Sequence, residues 1–299
     1  MSLKYFIKNT GLIKASGSEA IDFLNRMSTN DLRKFDADEF RKTVLTTDKG
    51  RIIDLINVVN SGKEIMILTS EDFEDKIIAH LEKYIIMDDV FLKKQESGHV
   101  RISVITEDPD NLCKDLFQTE IKKGMICIIN NEDFLFTDDF RIRSLNIVCS
   151  PANTDKYRSL LKDLHEMNSA EYDYFRIEEA IPEGKNEFNE NVNPVECGLE
   201  KYISYKKGCY IGQEVIARLD SQGKIPKQMV KLIPDAQVYS EDKIFDDQNT
   251  ECGFISSTAF LNDKYLSLGF IRSSNLNYGK SYFTDNKNGK IKLNISKIN

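Results

Sequence analysis

The segment Lys207-Gly208-Cys209-Tyr210-Ile211-Gly212-Gln213-Glu214 places one thiol between two glycines, directly after the lysines 206 and 207. Glycine is favoured where the backbone needs a positive φ or a close approach to another group. Cationic neighbours favour the thiolate form of a cysteine. The segment is therefore typical of a built site, and Cys209 is its candidate catalytic or reactive residue. The alternative, a cysteine chosen only for its size in a tight turn, remains open at this point.

Composition narrows the class of protein. The chain has 299 residues, of which 40% are hydrophobic and 30% charged, and its net charge is −7. This length suits two domains or one large elaborated domain, and the composition is typical of a soluble folded protein. Nucleic-acid binding rests on phosphate neutralisation, so the negative charge predicts no direct nucleic-acid partner. Without a long apolar run or a signal-peptide core, we expect no membrane association and a cytoplasmic location.

The cysteines and histidines are scattered. No C-x-x-C pair occurs, and the three histidines are isolated, so no metal site is predicted from local spacing. Cys127 and Cys149 lie in apolar, strand-like runs and are predicted to be small core residues. The six cysteines are Cys113, Cys127, Cys149, Cys197, Cys209 and Cys252.

The order of predicted elements indicates an α+β fold. Residues 1–95 and 96–225 each contain a strand–helix–strand–strand order, which predicts two ferredoxin-like α+β halves forming one body over 1–225. Ser16 and Glu19 have capping-box spacing before a predicted helix at 17–27. Further helices are predicted at 72–86, 108–117 and 154–166. Short strand-like runs separated by turns predict a small β-barrel at 226–299.

The octapeptide resembles the signature of YgfZ-type folate-binding proteins. These are relatives of the glycine cleavage T-protein, an aminomethyltransferase, and of mitochondrial iron–sulfur assembly proteins. The resemblance extends to most of the chain, through segments that include Thr46-Thr47-Asp48-Lys49-Gly50-Arg51-Ile52, Phe175-Arg176-Ile177-Glu178-Glu179-Ala180 and Leu268-Gly269-Phe270-Ile271. It implies a folate-binding body with a small C-terminal barrel, and tetrahydrofolate or a one-carbon derivative as the cofactor.

The resemblance also implies cofactor-binding residues. Tyr210 would stack on the pterin, and Gln213 would hydrogen-bond to its edge. Arg176 would bind a folate carboxylate, since guanidinium matches carboxylate geometry, but a solvated helix face with local ion pairs ranks ahead of this role. Lys207 completes this predicted set. We expect a central cavity near residues 207–214.

The segment Gly50-Arg51-Ile52-Ile53-Asp54-Leu55 tests for aminomethyl transfer. T-proteins carry two adjacent aspartates here, and the second is credited with catalysis. Asp54 matches the first aspartate, and Leu55 replaces the second. Adjacent side chains on a strand point to opposite faces, so Asp54 does not simply substitute for the missing acid. The resemblance therefore favours folate binding without glycine-cleavage chemistry.

Three functions follow as hypotheses. The favoured one is a folate-dependent accessory protein for the assembly or repair of iron–sulfur clusters in client enzymes, with only an indirect link to tRNA modification. Its partners would be those client enzymes or assembly proteins. The alternative is a tetrahydrofolate-dependent aminomethyltransferase. A third is a scaffold that has lost folate and only binds partners.

Overall fold

The computed structural model describes residues 3–130, 133–223, 225–287 and 289–298. Backbone contacts divide the chain into two compact units. Unit 1 comprises Met1–Asp48, Ile52–Met167 and Tyr202–Gln213, and unit 2 comprises Lys49–Arg51, Asn168–Lys201 and Glu214–Asn299.

Unit 1 is built on one ten-stranded sheet, whose main path runs β2-β3-β4-β1-β6-β9-β8-β7. Two short strands, β5 and β10, also pair with β1. The strands are β1 (Lys4–Ser16), β2 (Glu39–Thr46), β3 (Ile52–Asn60), β4 (Ile65–Thr69), β5 (Phe91–Lys94), β6 (His99–Ile105), β7 (Ile126–Ile128), β8 (Phe134–Asp138), β9 (Ser144–Cys149) and β10 (His165–Glu166).

The two predicted halves share their longest strand. The first part of β1 pairs with β6, and its second part pairs with β4. The sheet curls so that its outer strands approach each other. Glu39, the first residue of β2, bridges to Met125 just before β7, and the ring centroids of Phe40 and Phe136 are 4.8 Å apart. We call the concave side of this curled sheet the inner face.

Four helices cover the opposite side of the sheet. Apolar residues of α1 and α2 pack on β1, β3 and β4, and α3 and α4 pack on β6, β8 and β9. The inner face has its own apolar layer, which includes Leu12, Phe134 and Phe136. The helices are α1 (Ala20–Met27), α2 (Glu74–Glu82), α3 (Pro109–Phe117) and α4 (Thr154–Leu160).

Unit 2 contains a closed six-stranded barrel in the order β11-β14-β13-β12-β15-β16. Its helices are α5 (Ser169–Glu178), α6 (Gly184–Glu187) and α7 (Gln213–Gln222), the last of which begins at the final residue of unit 1. The strands are β11 (Lys227–Pro234), β12 (Lys243–Phe245), β13 (Glu251–Leu261), β14 (Lys264–Arg272), β15 (Tyr282–Asn286) and β16 (Gly289–Ser296). The mixed α and β fold with a C-terminal barrel, predicted from the sequence, is therefore confirmed.

Several predicted boundaries differ from the structure. The predicted capping box is wrong, because Ser16 ends β1 and α1 begins only at Ala20, without a side-chain cap. Glu19 instead accepts a hydrogen bond from the backbone N–H of Asp89. The helices predicted at 72–86 and 154–166 are shorter, and strands β5, β10 and β12 were missed because each has only two to four residues.

The division into units also falls at different places from the predicted boundary at residue 226. Residues 168–201 cluster with the barrel, because α5 and α6 lie against β13. The segment 202–213 clusters with the curled sheet. Among the described residues, no helix is long and apolar enough to cross a membrane.

Candidate functional site

The signature segment is held in unit 1 by hydrogen bonds to α1 and the loop that follows it. The backbone N–H of Ser204 donates to the carbonyl oxygen of Thr29 over 2.9 Å, and that of Ile211 donates to Arg26 over 3.1 Å. The Thr29 hydroxyl donates to the carbonyl oxygen of Tyr202 over 2.7 Å. These bonds fix the main chain on both sides of Lys207, at residues 202–204 and at residue 211.

Lys207 anchors the middle of the segment. Its side chain is buried, and its ammonium group donates to the carbonyl oxygens of Asn25, Ser28 (2.7 Å) and Asn30 (2.6 Å). These three bonds use all of its donors. Burial lowers the pKa of Lys207 to about 8. In this structure Lys207 shapes the segment, and its predicted contact with a cofactor stays a prediction.

Cys209 and Tyr210 point into different environments. Cys209 is exposed, and Tyr210 is buried with its ring centroid 5.2 Å from the Lys207 ammonium. Gly212 has a φ of +83° just before α7 begins at Gln213. A side chain is strained at this backbone angle, so glycine is required for the turn. Gln213 is half-buried at the start of α7.

The other cysteines have more enclosed positions. Burial raises the pKa of the Cys113, Cys149 and Cys252 thiols to about 11. Cys149 is fully buried, in agreement with its prediction as a core residue, whereas Cys127 is only half-buried because it lies on the short strand β7 near the sheet edge. The described residues contain no group of three or more histidine, cysteine or acidic side chains suited to a metal ion.

Arg176 lies in unit 2, on α5, and is buried in a polar network within that unit. Its guanidinium donates to Ser257 over 2.9 Å and pairs with the buried carboxylate of Glu187 at 3.4 Å. Glu187 also accepts hydrogen bonds of 2.6 Å from Ser256 and Ser257. This arrangement joins α5 and α6 to the barrel. The structural interpretation of Arg176 has geometric support, and its folate contact stays a prediction.

A second polar group lies on the inner face, beside the start of the signature segment. We call it the Lys42 cluster, and its members are Lys42, Asn57, Asp138, Phe140 and Tyr202. Lys42 forms an ion pair with Asp138, and its ammonium lies 5.3 Å from the Phe140 ring and 5.5 Å from the Tyr202 ring. The two rings meet edge to face at 5.5 Å. Burial raises the pKa of Tyr202.

Asn57 completes this cluster from the neighbouring strand. It lies on β3, directly opposite Lys42 of β2. Its side chain is 5% exposed, and its Oδ1 atom has no hydrogen-bond partner among the residues that the structure describes. A buried acceptor without a partner is costly and rare in folded proteins. The atom is therefore a candidate contact for a ligand donor.

The structure confirms the alternation predicted on β3. Asp54 is fully buried and accepts hydrogen bonds from the backbone N–H of Ser70 (2.8 Å), the Ser70 hydroxyl (2.7 Å) and the backbone N–H of Leu55 (2.9 Å). Burial raises the pKa of Asp54 to about 6 despite these donors. Leu55 is half-buried on the other face of the strand, the face that carries Asn57. The position that the sequence resemblance matches to the second aspartate of the T-proteins is therefore apolar.

Sequence reasoning missed the Lys42 cluster. Its members are separated by up to 160 positions, and only the curl of the sheet brings Asp138 to Lys42. One local signal was present. Asn57, like Asp54, interrupts the otherwise apolar run Ile52–Val59, and a polar residue on a buried strand marks a candidate site.

The chain matches no family model. The aminomethyltransferase of Desulfitobacterium hafniense (strain DSM 10664 / DCB-2) is 19% identical over 284 residues, which are 89% of this chain and 77% of that protein. That of Caldanaerobacter subterraneus subsp. tengcongensis is 23% identical over 245 residues, 73% of this chain and 62% of that protein. The chain is a distant homologue of the aminomethyltransferases.

A solved structure matches over nearly the whole chain. It is the crystal structure of the glycine cleavage system aminomethyltransferase T from Bartonella henselae, with a TM-score of 0.84. The match covers 99% of this chain and 86% of that one at 17% identity. The fold is that of the glycine cleavage aminomethyltransferases.

Proposed function

We propose that this protein binds a folate without catalysing aminomethyl transfer, as an accessory protein for the assembly or repair of iron–sulfur enzymes. The observation that carries the folate proposal is the buried, unpartnered Oδ1 atom of Asn57 on the inner face. It lies two residues beyond Leu55, on the strand where the family resemblance places the acidic residues. The homology and the fold described above support a site of this type.

The residues of the Lys42 cluster fit a pterin. A pterin is a flat ring with N–H donors along one edge, and Asn57 offers an acceptor without a partner in the described chain. Phe140, which is half-buried, and Tyr202 offer ring surfaces beside it. Folate, when bound, would supply a one-carbon carrier. The protein residues would bind and orient it, and Lys42 with Asp138 would provide a charged pair at its border.

Two features of β3 argue against aminomethyl transfer. Leu55 has no group that accepts a proton or hydrogen-bonds to a folate nitrogen. Asp54 is engaged by Ser70 and the Leu55 backbone on the other side of the sheet. No carboxylate of β3 is therefore available on the inner face.

The accessory role rests on the family resemblance and on the exposure of Cys209. A single thiol does not hold an iron–sulfur cluster, which usually needs four cysteine ligands. Cys209 would instead act transiently on a client enzyme or an assembly protein, and an effect on tRNA modification would follow only through iron–sulfur enzymes that modify tRNA. The folate form and the client remain part of the proposal.

Two assays separate the three functional hypotheses. Calorimetry with tetrahydrofolate should show saturable binding with one site per chain, because the described residues present one such cluster; absence of binding would favour the partner-binding scaffold. With an aminomethyl-lipoyl carrier protein and tetrahydrofolate, the protein should release no ammonia above background. Robust ammonia release would replace the proposal with the aminomethyltransferase.

The role of Cys209 needs a cellular test. Cys209→Ser should keep the fold, since the side chain is exposed and the change is small. Cells that depend on this variant should nevertheless lose activity of iron–sulfur enzymes under oxidative stress. Cys127→Ser is the matched control, because this thiol is half-buried outside the segment. Full activity with Cys209→Ser would assign the segment a purely structural role.

A further inference from the structure

The Lys42 cluster lies at one end of the inner face. We call the opposite end of this face the second mouth. Strand β8 shows the separation, since Phe134, Phe136 and Asp138 follow one another along the inner face. Asp138 belongs to the Lys42 cluster, Phe136 to the apolar layer and Phe134 to the second mouth. Four residues of extended strand separate Phe134 from Asp138 by about 13 Å.

A cavity of about 460 Å³ opens at this second mouth. Its volume lies within the range of roughly 300 to 1,000 Å³ that is typical of small-molecule sites. Two strand pairs form its facing walls: Leu12 and Met66 come from β1 and β4, and Ile128 and Phe134 come from β7 and β8. Ile128 is 48% exposed, which is unusual for an apolar side chain on the concave side of a sheet.

Among the residues that the structure describes, the rim of this cavity carries one lysine without an ion-pair partner. Lys14 and Glu64 neutralise each other at 2.7 Å. Asp133 is fully buried and accepts hydrogen bonds from Asn130, Asn153 and Tyr157, so this carboxylate is engaged by protein donors. Lys63 is exposed at the rim and has no ion-pair partner in the described part of the chain.

We propose that this cavity is a second ligand site, which takes a small molecule with a flat apolar body and one anionic group. The apolar body would lie between the β1–β4 wall and the β7–β8 wall, where the Phe134 ring favours offset stacking. The anion would face Lys63. The site is independent of the folate proposal, because the layer that contains Phe40 and Phe136 lies between the two mouths.

The test uses the full chain and the probe 1-anilinonaphthalene-8-sulfonate, which has an aromatic body and one sulfonate. Wild-type protein should bind one probe molecule per chain with saturable fluorescence. Ile128→Asp should weaken binding at least tenfold, because it places a charge in the apolar wall. Ser97→Trp, a change at an exposed rim position, should block the cavity to a similar extent without touching the core.

Two further comparisons test the contribution of the Lys63 charge and the location of the site. Lys63→Glu should weaken the sulfonate probe about two- to fivefold, as expected for one exposed charge, but leave the neutral probe N-phenyl-1-naphthylamine unchanged. Met87→Asp and Phe260→Asp change exposed apolar residues elsewhere and should leave binding unaltered. Unchanged binding in both Ile128→Asp and Ser97→Trp, or loss in Met87→Asp, would overturn the site.

Competition separates this site from the proposed folate site. Saturating 5-formyltetrahydrofolate should leave the probe bound. If folate displaces the probe from the wild type, and Ile128→Asp abolishes binding of both molecules, the second mouth holds a single folate site. That result would overturn the proposal of two sites.

Discussion

Lys207 has a structural role that its sequence context does not show. Its place beside Cys209 in the sequence suggests electrostatic tuning of the thiol or contact with the cofactor. In the structure its ammonium joins three main-chain carbonyls from α1 and the following loop. A charged donor that satisfies several buried acceptors stabilises a local fold strongly, because each acceptor would otherwise be left without a partner.

Lys207→Met should therefore destabilise the protein by roughly 3 kcal/mol, since an apolar side chain leaves these carbonyls unsatisfied. Lys206→Met is the matched control and should cost almost nothing, because Lys206 is exposed. Urea denaturation of both variants measures the difference. Equal stability of the two variants would show that the Lys207 hydrogen bonds contribute little.

Asp54 predicts a pH dependence of stability. Its pKa is about 6 in the folded protein, raised by burial above the ordinary value of 3.8. The folded state therefore holds the proton more tightly than the unfolded state. The stabilising contribution of the protonated carboxyl is present below pH 3.8 and is lost as the pH rises through 6.

Comparison with Asp54→Asn isolates this effect. The free energy of unfolding of the wild type should fall relative to that of the variant by about 3 kcal/mol between pH 3.5 and pH 7. Denaturant titrations at several pH values measure it. A difference that stays constant with pH would mean that the pKa of Asp54 is not raised.

At the scale of elements, the signature segment is a turn that leads into α7. Its two glycines have different structural roles. Gly212 has a φ of +83°, where a side chain is strained, whereas Gly208 has open space around the position that a Cβ would occupy. The segment therefore requires only one of these glycines for its backbone shape.

Gly212→Ala should cost about 1 to 2 kcal/mol of stability, because a residue with a side chain is disfavoured in the left-handed region. Gly208→Ala should change stability by less than about 0.5 kcal/mol. Thermal or urea denaturation compares them. A larger loss in Gly208→Ala than in Gly212→Ala would contradict the backbone geometry described for the turn.

Elements with strong local patterns were predictable from the sequence, and the rest depended on tertiary contacts. Strands β3 and β4 and helix α3 lie within a residue of the bounds that apolar runs and turn residues predict for them, 51–60, 64–69 and 108–117. The capping box at Ser16 failed because a local motif competed with pairing of Ser16 to Phe91 in the sheet. The short strand β5 exists only through this pairing with β1.

At the scale of the whole molecule, the family resemblance predicted the fold but not the candidate site. The C-terminal barrel and the mixed α and β body follow the expectation. The Lys42 cluster was not predicted, because residues from β2, β3 and β8 and Tyr202, which precedes the signature segment, meet only through the curl of the sheet. Leu55 and Asn57 show the same limit. Strand alternation places both on one face, but only the folded sheet shows that Lys42 lies opposite Asn57 on that face.

The central claim is that Asn57 on the inner face binds folate, and that its unpartnered oxygen lowers the stability of the folded protein when no folate is bound. Replacing a buried, unpartnered polar group by an apolar one of similar size is neutral or stabilising. Asn57→Leu should therefore unfold at an equal or higher urea concentration than the wild type. The exposed Asn111→Leu on α3 provides the control for the same chemical change.

Calorimetry with 5-formyltetrahydrofolate on these three proteins is the most direct measurement. We predict saturable binding to the wild type and to Asn111→Leu, and at least tenfold weaker binding to the fully folded Asn57→Leu. Equal affinity of all three proteins, or no binding to the wild type, would contradict the claim.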